Sequence, residues 1–276
     1  MPVLSIAIQK GGSGKTTTAV NLAAALVRKG KSVLLIDSDP QANLTYSLGV
    51  SDDCERNLYT EYKEEVMGRP ARLKEAIVEI NQGLHLIPSS IELAKTELEL
   101  VSKLAREHTL RRKMLKPLVN EYDLIIIDCP PSFGMLTTNA LVASDQILVP
   151  LQGEFLPKKG VESFLKLVAT LRETFELQLE VAGFVLTRFS ERKKINNEVK
   201  IWLGEEFHEK LFNTFIHTDV KLVSAQKQGE DIFTHAPKSQ AAADYESLAV
   251  EFLSTMSRKP ALGESLREPQ AHETHF

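Results

Sequence analysis

The sequence predicts an α/β fold: a doubly wound, mostly parallel sheet with helices on both faces. Three observations carry that expectation. Short β-branched and aliphatic runs recur along the chain, as in Leu124-Ile125-Ile126-Ile127. Several of these runs are continuously apolar rather than alternating, which suits strands covered on both faces. Helical patterns separate them, and alternating strand and helix is the pattern of parallel α/β layering.

In chain order the expected strands are Val3–Gln9, Ser32–Asp37, Leu84–Pro88, Asp123–Asp128, Gln146–Pro150, Val181–Thr187 and Leu211–Ile216. Thr17–Lys29 is Ala/Leu-rich and stops at Gly30, a suitable residue just past a helix end. Ile91–Arg106 and Val161–Glu173 carry apolar positions at helical spacing. Ser51–Gly83 shows no clear strand and reads as a variable excursion. Residues 1–256 read as a single domain. Residues 257–276 read as a flexible tail, with Pro260, Pro269, balanced charge and no apolar stripe.

The chain has 276 residues, 43% hydrophobic and 25% charged, which excludes collagen-like, disordered and coiled-coil readings of the whole. The formal net charge of −4 argues against a globally basic nucleic-acid binder and leaves room only for a local patch. Cys54 and Cys129 form no CxxC pair, which argues against a zinc site or iron–sulfur cluster. No apolar run approaches the roughly 20 residues that span a bilayer. A secretory leader is also missing, so a cytoplasmic protein is expected.

Gln9-Lys10-Gly11-Gly12-Ser13-Gly14-Lys15-Thr16-Thr17-Thr18 falls between the first strand and the first helix. That is the context of a phosphate-binding loop. Glycines admit close approach of phosphate oxygens, and successive N–H groups at a helix start favour the anion. Lys15 would neutralise β- and γ-phosphates, and the Thr16 hydroxyl would complete a Mg²⁺ shell of hard oxygens. Gln9 stands where the strict pattern has its first glycine. Lys10 adds a second lysine where Lys15 already supplies charge. It is therefore either a group that reaches a partner subunit's phosphates or a solvated cation. Asp37 and Asp39 lie at the carboxyl end of the second strand, where open α/β sheets bind ligands. A carboxylate pair there suits Mg²⁺ and an attacking water. Asp128 ends the most apolar strand and suits an outer-sphere hold on Mg²⁺. Pro130, Pro131 and Gly134 mark a second switch segment. Cys129 reads as a small buried filler, and no catalytic role falls to the scattered histidines.

Lys10-Gly11-Gly12-Ser13-Gly14-Lys15-Thr16-Thr17 resembles the deviant Walker A motif of the ParA/MinD family of partitioning and positioning ATPases, closest to its ParA/Soj-type members. The resemblance continues through Leu34–Asn43, Ile126–Ser132, Thr138–Leu141, Ala236–Ser239 and Asp244–Ala249. It covers about residues 1–253. It implies a deviant Walker A P-loop NTPase that binds ATP and Mg²⁺ and forms a homodimer around ATP. Lys10 would then cross the interface, Asp37 would join the Mg²⁺–water shell, and Asp39 would position the attacking water. It also implies nonspecific DNA as the surface and a ParB-like or other activating protein as the stimulus for hydrolysis. The cargo would be a plasmid, a chromosome or another load, with the ATP-bound form on the nucleoid.

Arg188, Arg192, Lys193, Lys194 and Lys200 form a basic cluster after the sixth strand. By itself such a run is a solvated face or a phosphate-contacting one. The resemblance places DNA-contacting residues here, at a position matching Arg192, and Lys221 and Lys227 extend the patch. Many relatives carry a Pro-Arg pair where this chain reads Ile216-His217-Thr218-Asp219. The tail is unlike the amphipathic basic helix of membrane-bound members, so no membrane anchor is expected. Because the loop starts at residue 10, no N-terminal helix-turn-helix extension and no specific operator binding are expected. The alternative is an ATP-switched positioning factor for a secretion, chemoreceptor, cellulose-synthesis or microcompartment assembly. A metabolic ligase or an electron-transfer ATPase shares the same fold, and the missing CxxC disfavours the second.

Overall fold

Among the described residues of the computed structural model (2–118, 120–153 and 157–257), seven strands pair into one sheet. They are β1 (Val3–Ile6), β2 (Val33–Asp37), β3 (Val78–Asn81), β4 (Leu84–Ile87), β5 (Leu124–Asp128), β6 (Gln146–Gln152) and β7 (Glu180–Thr187). Their spatial order is β3-β4-β2-β5-β1-β6-β7. All neighbours are parallel except β3 and β4, which form an antiparallel hairpin at one edge. The mostly parallel sheet is thus as expected.

The helices are α1 (Lys15–Arg28), α2 (Asn43–Ser47), α3 (Leu58–Val66), α4 (Thr96–Glu99), α5 (Met135–Ala143), α6 (Pro157–Phe175), α7 (Lys194–Phe207), α8 (Val220–Gln228), α9 (Ile232–His235) and α10 (Gln240–Ser257). Successive strand residues point to opposite faces. Val33, Leu35, Leu124 and Ile126 therefore join one core with α1, α9 and α10. Leu34, Ile36, Ile125 and Ile127 join the other with α3, α5, α6 and the helical turn Thr109–Leu115. Both faces are apolar because both are covered, which is why β5 reads as an unbroken aliphatic run.

Four expectations are corrected. First, Leu211–Ile216 is not a strand. It follows β7 through Phe212 N–H to Phe184 O (2.9 Å) and Ile216 N–H to Leu186 O (2.8 Å). Between these bonds, the amides of Asn213 and Thr214 turn to the Glu251 carboxylate on α10, at 2.7 and 3.0 Å, which breaks the ladder. Second, the 51–83 excursion holds both α3 and β3. A capping box starts α3, with Asn57 and Thr60 each accepting the other's backbone N–H. Third, Ile91–Arg106 is not one helix. It breaks into the 3₁₀ turn Ile91–Lys95, α4, and the turn Arg106–His108 after Ala105 takes a φ of +52°. Leu93 and Leu100 are buried while Leu98, Val101 and Leu104 stay exposed, so its apolar positions never shared one face. Fourth, α1 starts two residues earlier than read, at Lys15. The expected tail lies outside the described residues beyond Ser257, which closes α10.

Two close backbone approaches fix the packing. Gly49, after α2, and Gly229, after α8, sit back to back at φ +71° and +70°. A Cβ on Gly229 would lie 2.6 Å from Gly49 Cα. Gly183 in β7 leaves room for the Lys210–Phe212 segment. A Cβ there would lie 2.5 Å from the Phe212 ring and 2.6 Å from Lys210 O. Gly183→Ala is accordingly expected to destabilise the chain by about 1–3 kcal/mol in urea unfolding, the cost typical of overpacking. Unchanged stability would show that residues 210–212 are not held against β7.

Candidate functional site

The loop between β1 and α1 crosses the carboxyl end of the sheet. Gly12 and Gly14 adopt φ +74° and +88°, conformations that glycine takes without strain. Gly14 is the residue before α1 and brings no side chain to cap this 14-residue helix. Its start is therefore open to an anion. The underside of the loop is pinned from two strand ends. Thr187 donates to Ser13 O (2.8 Å), and the Gln152 amide donates to Gly12 O. Lys15 is buried and bends back to donate to Lys10 O at 3.1 Å. Burial lowers its pKa, while the charge of Asp128, and to a smaller degree those of Cys129 and Asp39, opposes the fall. Lys10 is half-buried at the head of the loop.

The carboxylates converge opposite. Asp37 and Asp128 end β2 and β5 and face each other in the same register position. Both are buried. Asp37 accepts from the Thr45 hydroxyl (2.7 Å), the Thr45 amide (2.9 Å) and the Asp39 amide (3.2 Å). Burial nevertheless pushes its pKa up to about 7, with the Asp39 charge adding a little and those bonds opposing. Asp128 accepts from the Thr16 hydroxyl at 2.6 Å through one oxygen, while its other buried oxygen has no hydrogen-bond partner among the described residues. Its pKa also rises, through burial first and the Asp37 charge second, against the Thr16 bond and the Lys15 charge. Two adjacent raised carboxylates, an unbonded buried oxygen and a hydroxyl form an oxygen-rich donor set that fits a hard divalent cation. Asp39 is also buried, 8% exposed, and accepts from Gln41 N–H at 2.9 Å.

Several supporting residues were missed in the sequence. Thr45 relays between Asp37 and Ser89, whose amide donates to the Thr45 hydroxyl (2.9 Å) and whose hydroxyl donates to Asp39 O (2.7 Å). Asn21 accepts from Ile232 N–H at 2.8 Å, and Gln226 donates to the Thr17 hydroxyl at 2.9 Å, tying α1 to α9 and α8. Ser89, Gln226 and Ile232 arrive from distant parts of the chain, where no local motif announces them.

The basic cluster lies beyond the end of β7. Arg188, Arg192, Lys193, Lys194 and Lys200 are exposed. Lys194 pairs with Glu198 at 3.7 Å, and Lys200 sits over the Phe215 ring at 4.7 Å. Phe189 exchanges backbone bonds with Ile216 and Thr218, which brings the Arg188–Lys193 loop beside the segment leading to exposed Lys221. At the substituted Pro-Arg position, His217 bonds Asp244 through its amide (2.8 Å) and its ring (2.9 Å). Among the described residues no helix is long and apolar enough to cross a membrane.

A family model described as an AAA domain (AAA_31) matches residues 1–181. The sporulation initiation inhibitor protein Soj of Bacillus subtilis is 38% identical over 251 residues, covering 90% of this chain and 97% of that protein. The cobyrinic acid a,c-diamide synthase of Mycobacterium smegmatis, solved with bound ADP and magnesium, superposes with a TM-score of 0.77 at 32% identity, covering 92% of this chain and 95% of that one. The apo McdA structure from Cyanothece gives 0.80 at 26% identity, covering 93% and 99%.

Asp37 supplies a pH test of this site. An acid whose pKa is higher in the folded chain holds its proton more tightly there than in the unfolded chain. Its contribution to stability is complete at low pH and is lost as pH rises from about 4 through about 7. Asp37→Asn removes that loss, so the variant should gain stability relative to wild type across this range. Urea unfolding at fixed pH values, without nucleotide or magnesium, reads the difference. A difference independent of pH would refute the assignment.

Proposed function

The chain belongs to the ParA/MinD family of ATPases, and on that premise we propose that it hydrolyses ATP as a sandwich dimer, binds nonspecific DNA and positions or segregates a cargo. The observation that carries this reading is the apposition of the Gly11–Thr17 loop to the Asp37–Asp128 pair, joined by the Thr16–Asp128 hydrogen bond. Backbone N–H groups of Gly11, Gly12, Ser13, Gly14 and Thr17 offer donors to phosphate oxygens. Lys15 leaves Lys10 O to neutralise the β- and γ-phosphates. Its depressed affinity for the proton makes a phosphate partner more valuable than the carbonyl it holds now. Thr16, Asp37 and Asp128 would hold magnesium, which when bound would screen phosphate charge and offset the two buried carboxylates. Asp39 orients the attacking water. Lys10 reaches the partner subunit's phosphates and stabilises charge that develops in the transition state.

DNA contact falls to Arg188, Arg192, Lys193, Lys194 and Lys221. A net charge of −4 makes each patch a local and weak site. Joining two patches in the ATP dimer turns the second contact into an intramolecular one and raises retention without new residues. Release then follows hydrolysis, stimulated by a ParB-like or other activating protein. The cargo would be a plasmid, a chromosome or another load.

ATPase rate with and without nonspecific DNA across a salt series tests this reading, since phosphate contacts give a steep salt dependence. Turnover that requires a small-molecule acid in place of DNA would overturn it. Lys10→Ala should lower stimulated turnover by roughly a hundredfold or more, as loss of a charge-stabilising finger does. Retained turnover would remove Lys10 from the interface. Arg192→Glu should weaken retention on DNA and flatten its salt dependence, with binding of a fluorescent ATP analogue unchanged; equal DNA retention would refute the patch.

A further inference from the structure

The segment from Ser89 through α4 links the Asp39 loop to α5. At its start, Ser89 bonds the Asp39 carbonyl and the Thr45 hydroxyl that supports Asp37. At its end, half-buried Glu97 reaches α5, the helix that follows the Asp128 loop. The Glu97 carboxylate accepts from Met135 N–H at 2.6 Å and from Leu136 N–H at 3.1 Å. These are the first two amides of α5. A helix start is ordinarily capped by the side chain of the residue just before it. Here that residue is Gly134, which has none. The cap comes instead from another element, and a negative carboxylate also suits the positive end of the helix dipole.

Gly134 makes this cap possible. Its φ of −89° is open to any residue, so its backbone conformation does not call for glycine. A Cβ at this position would overlap the Glu97 carboxylate, lying 2.7 Å from Cδ. The place of Glu97 and the missing side chain at 134 are one feature. Downstream, the Thr137 hydroxyl donates to Ser132 O at 2.6 Å, so the start of α5 in turn fixes the loop that descends from Asp128.

We propose that Glu97 is a positioning residue for hydrolysis: it holds the start of α5, and with it the Cys129–Gly134 loop, in the place the reacting phosphate requires. The proposal rests on the ATPase reading above. Because Ser89 and Glu97 share one connector, a displacement of α4 moves the Asp39 loop and the Asp128 loop together. Among the described residues the Glu97 hydrogen bonds go to the start of α5 and not to the nucleotide loop or the site carboxylates, so its effect falls on turnover rather than on nucleotide affinity.

The test compares Glu97→Ala, Gly134→Ala and the double variant in the full chain. Each single change should lower kcat about tenfold or more, since small misplacements around a reacting centre are costly. Affinity for a fluorescent ATP analogue should stay within about twofold, and Glu97→Gln, which keeps one acceptor, should fall between wild type and Glu97→Ala. The double variant should lose no more than the worse single one, because both remove the same contact. Amide hydrogen exchange at residues 129–138 should rise in all three. Wild-type turnover in Glu97→Ala, losses that multiply in the double variant, or unchanged exchange at 129–138 would each overturn the proposal. A wild-type chain without ATP turnover would refute the ATPase reading instead, and the exchange measurement would still decide the role of Glu97.

Discussion

Two carboxylates, Asp37 and Asp128, sit buried side by side at the ends of neighbouring parallel strands. Parallel strands in register put their last residues at one level, so the sheet itself forces the two groups together. Among the described residues neither forms an ion pair in the manner of a surface acid. Instead, one is held by three donors and the other by the Thr16 hydroxyl. Both keep their protons to higher pH than an exposed acid would. Much of the surrounding construction answers this crowding: Lys15 lies close by, Thr45 and Ser89 orient Asp37, and one oxygen of Asp128 is left for a ligand.

The loop facing these acids is held from below rather than by its own sequence. Gln152 and Thr187 take up carbonyls of Gly12 and Ser13, leaving the N–H side of the turn for an anion. The same division recurs across the sheet, where Ser89 grips the backbone of Asp39 while the Asp39 carboxylate accepts only from the nearby Gln41 amide among the described residues. Polar side chains at or just past strand ends thus fix the backbone of the loops that carry Lys10 and Asp39.

The loop, the three aspartates and the parallel sheet were legible because each is local. Glycines with Lys15 and Thr16 between a strand and a helix, and acids closing apolar runs, need no distant partner to be recognised. What escaped depended on contacts across the chain. Leu211–Ile216 has the composition of a strand, yet Glu251 draws off the amides that a ladder would use. The start of α3 was missed because its capping box pairs Asn57 with Thr60 instead of the commoner Glu or Gln. Thr45, Ser89, Gln152 and Thr187 look like ordinary polar residues until the fold delivers them. The basic cluster, with Lys221 as its extension, was legible as charge alone, and the Phe189–Thr218 bond brings the Arg188–Lys193 loop beside the segment leading to Lys221.

The Gly49–Gly229 contact has a consequence for inheritance. α2 descends from the Asp39 loop, and α8 carries Lys221, so this meeting of two bare backbones is where the phosphate side of the molecule leans on the basic side. A side chain on Gly229 would push the Gly49 main chain away, whereas one on Gly49 would meet Gly229 only at ordinary contact distance and be opposed by its φ of +71° instead. Position 229 is therefore tied to the main-chain path of a residue far away in sequence, and a recombined gene that joins halves from divergent parents inherits a seam there that must match.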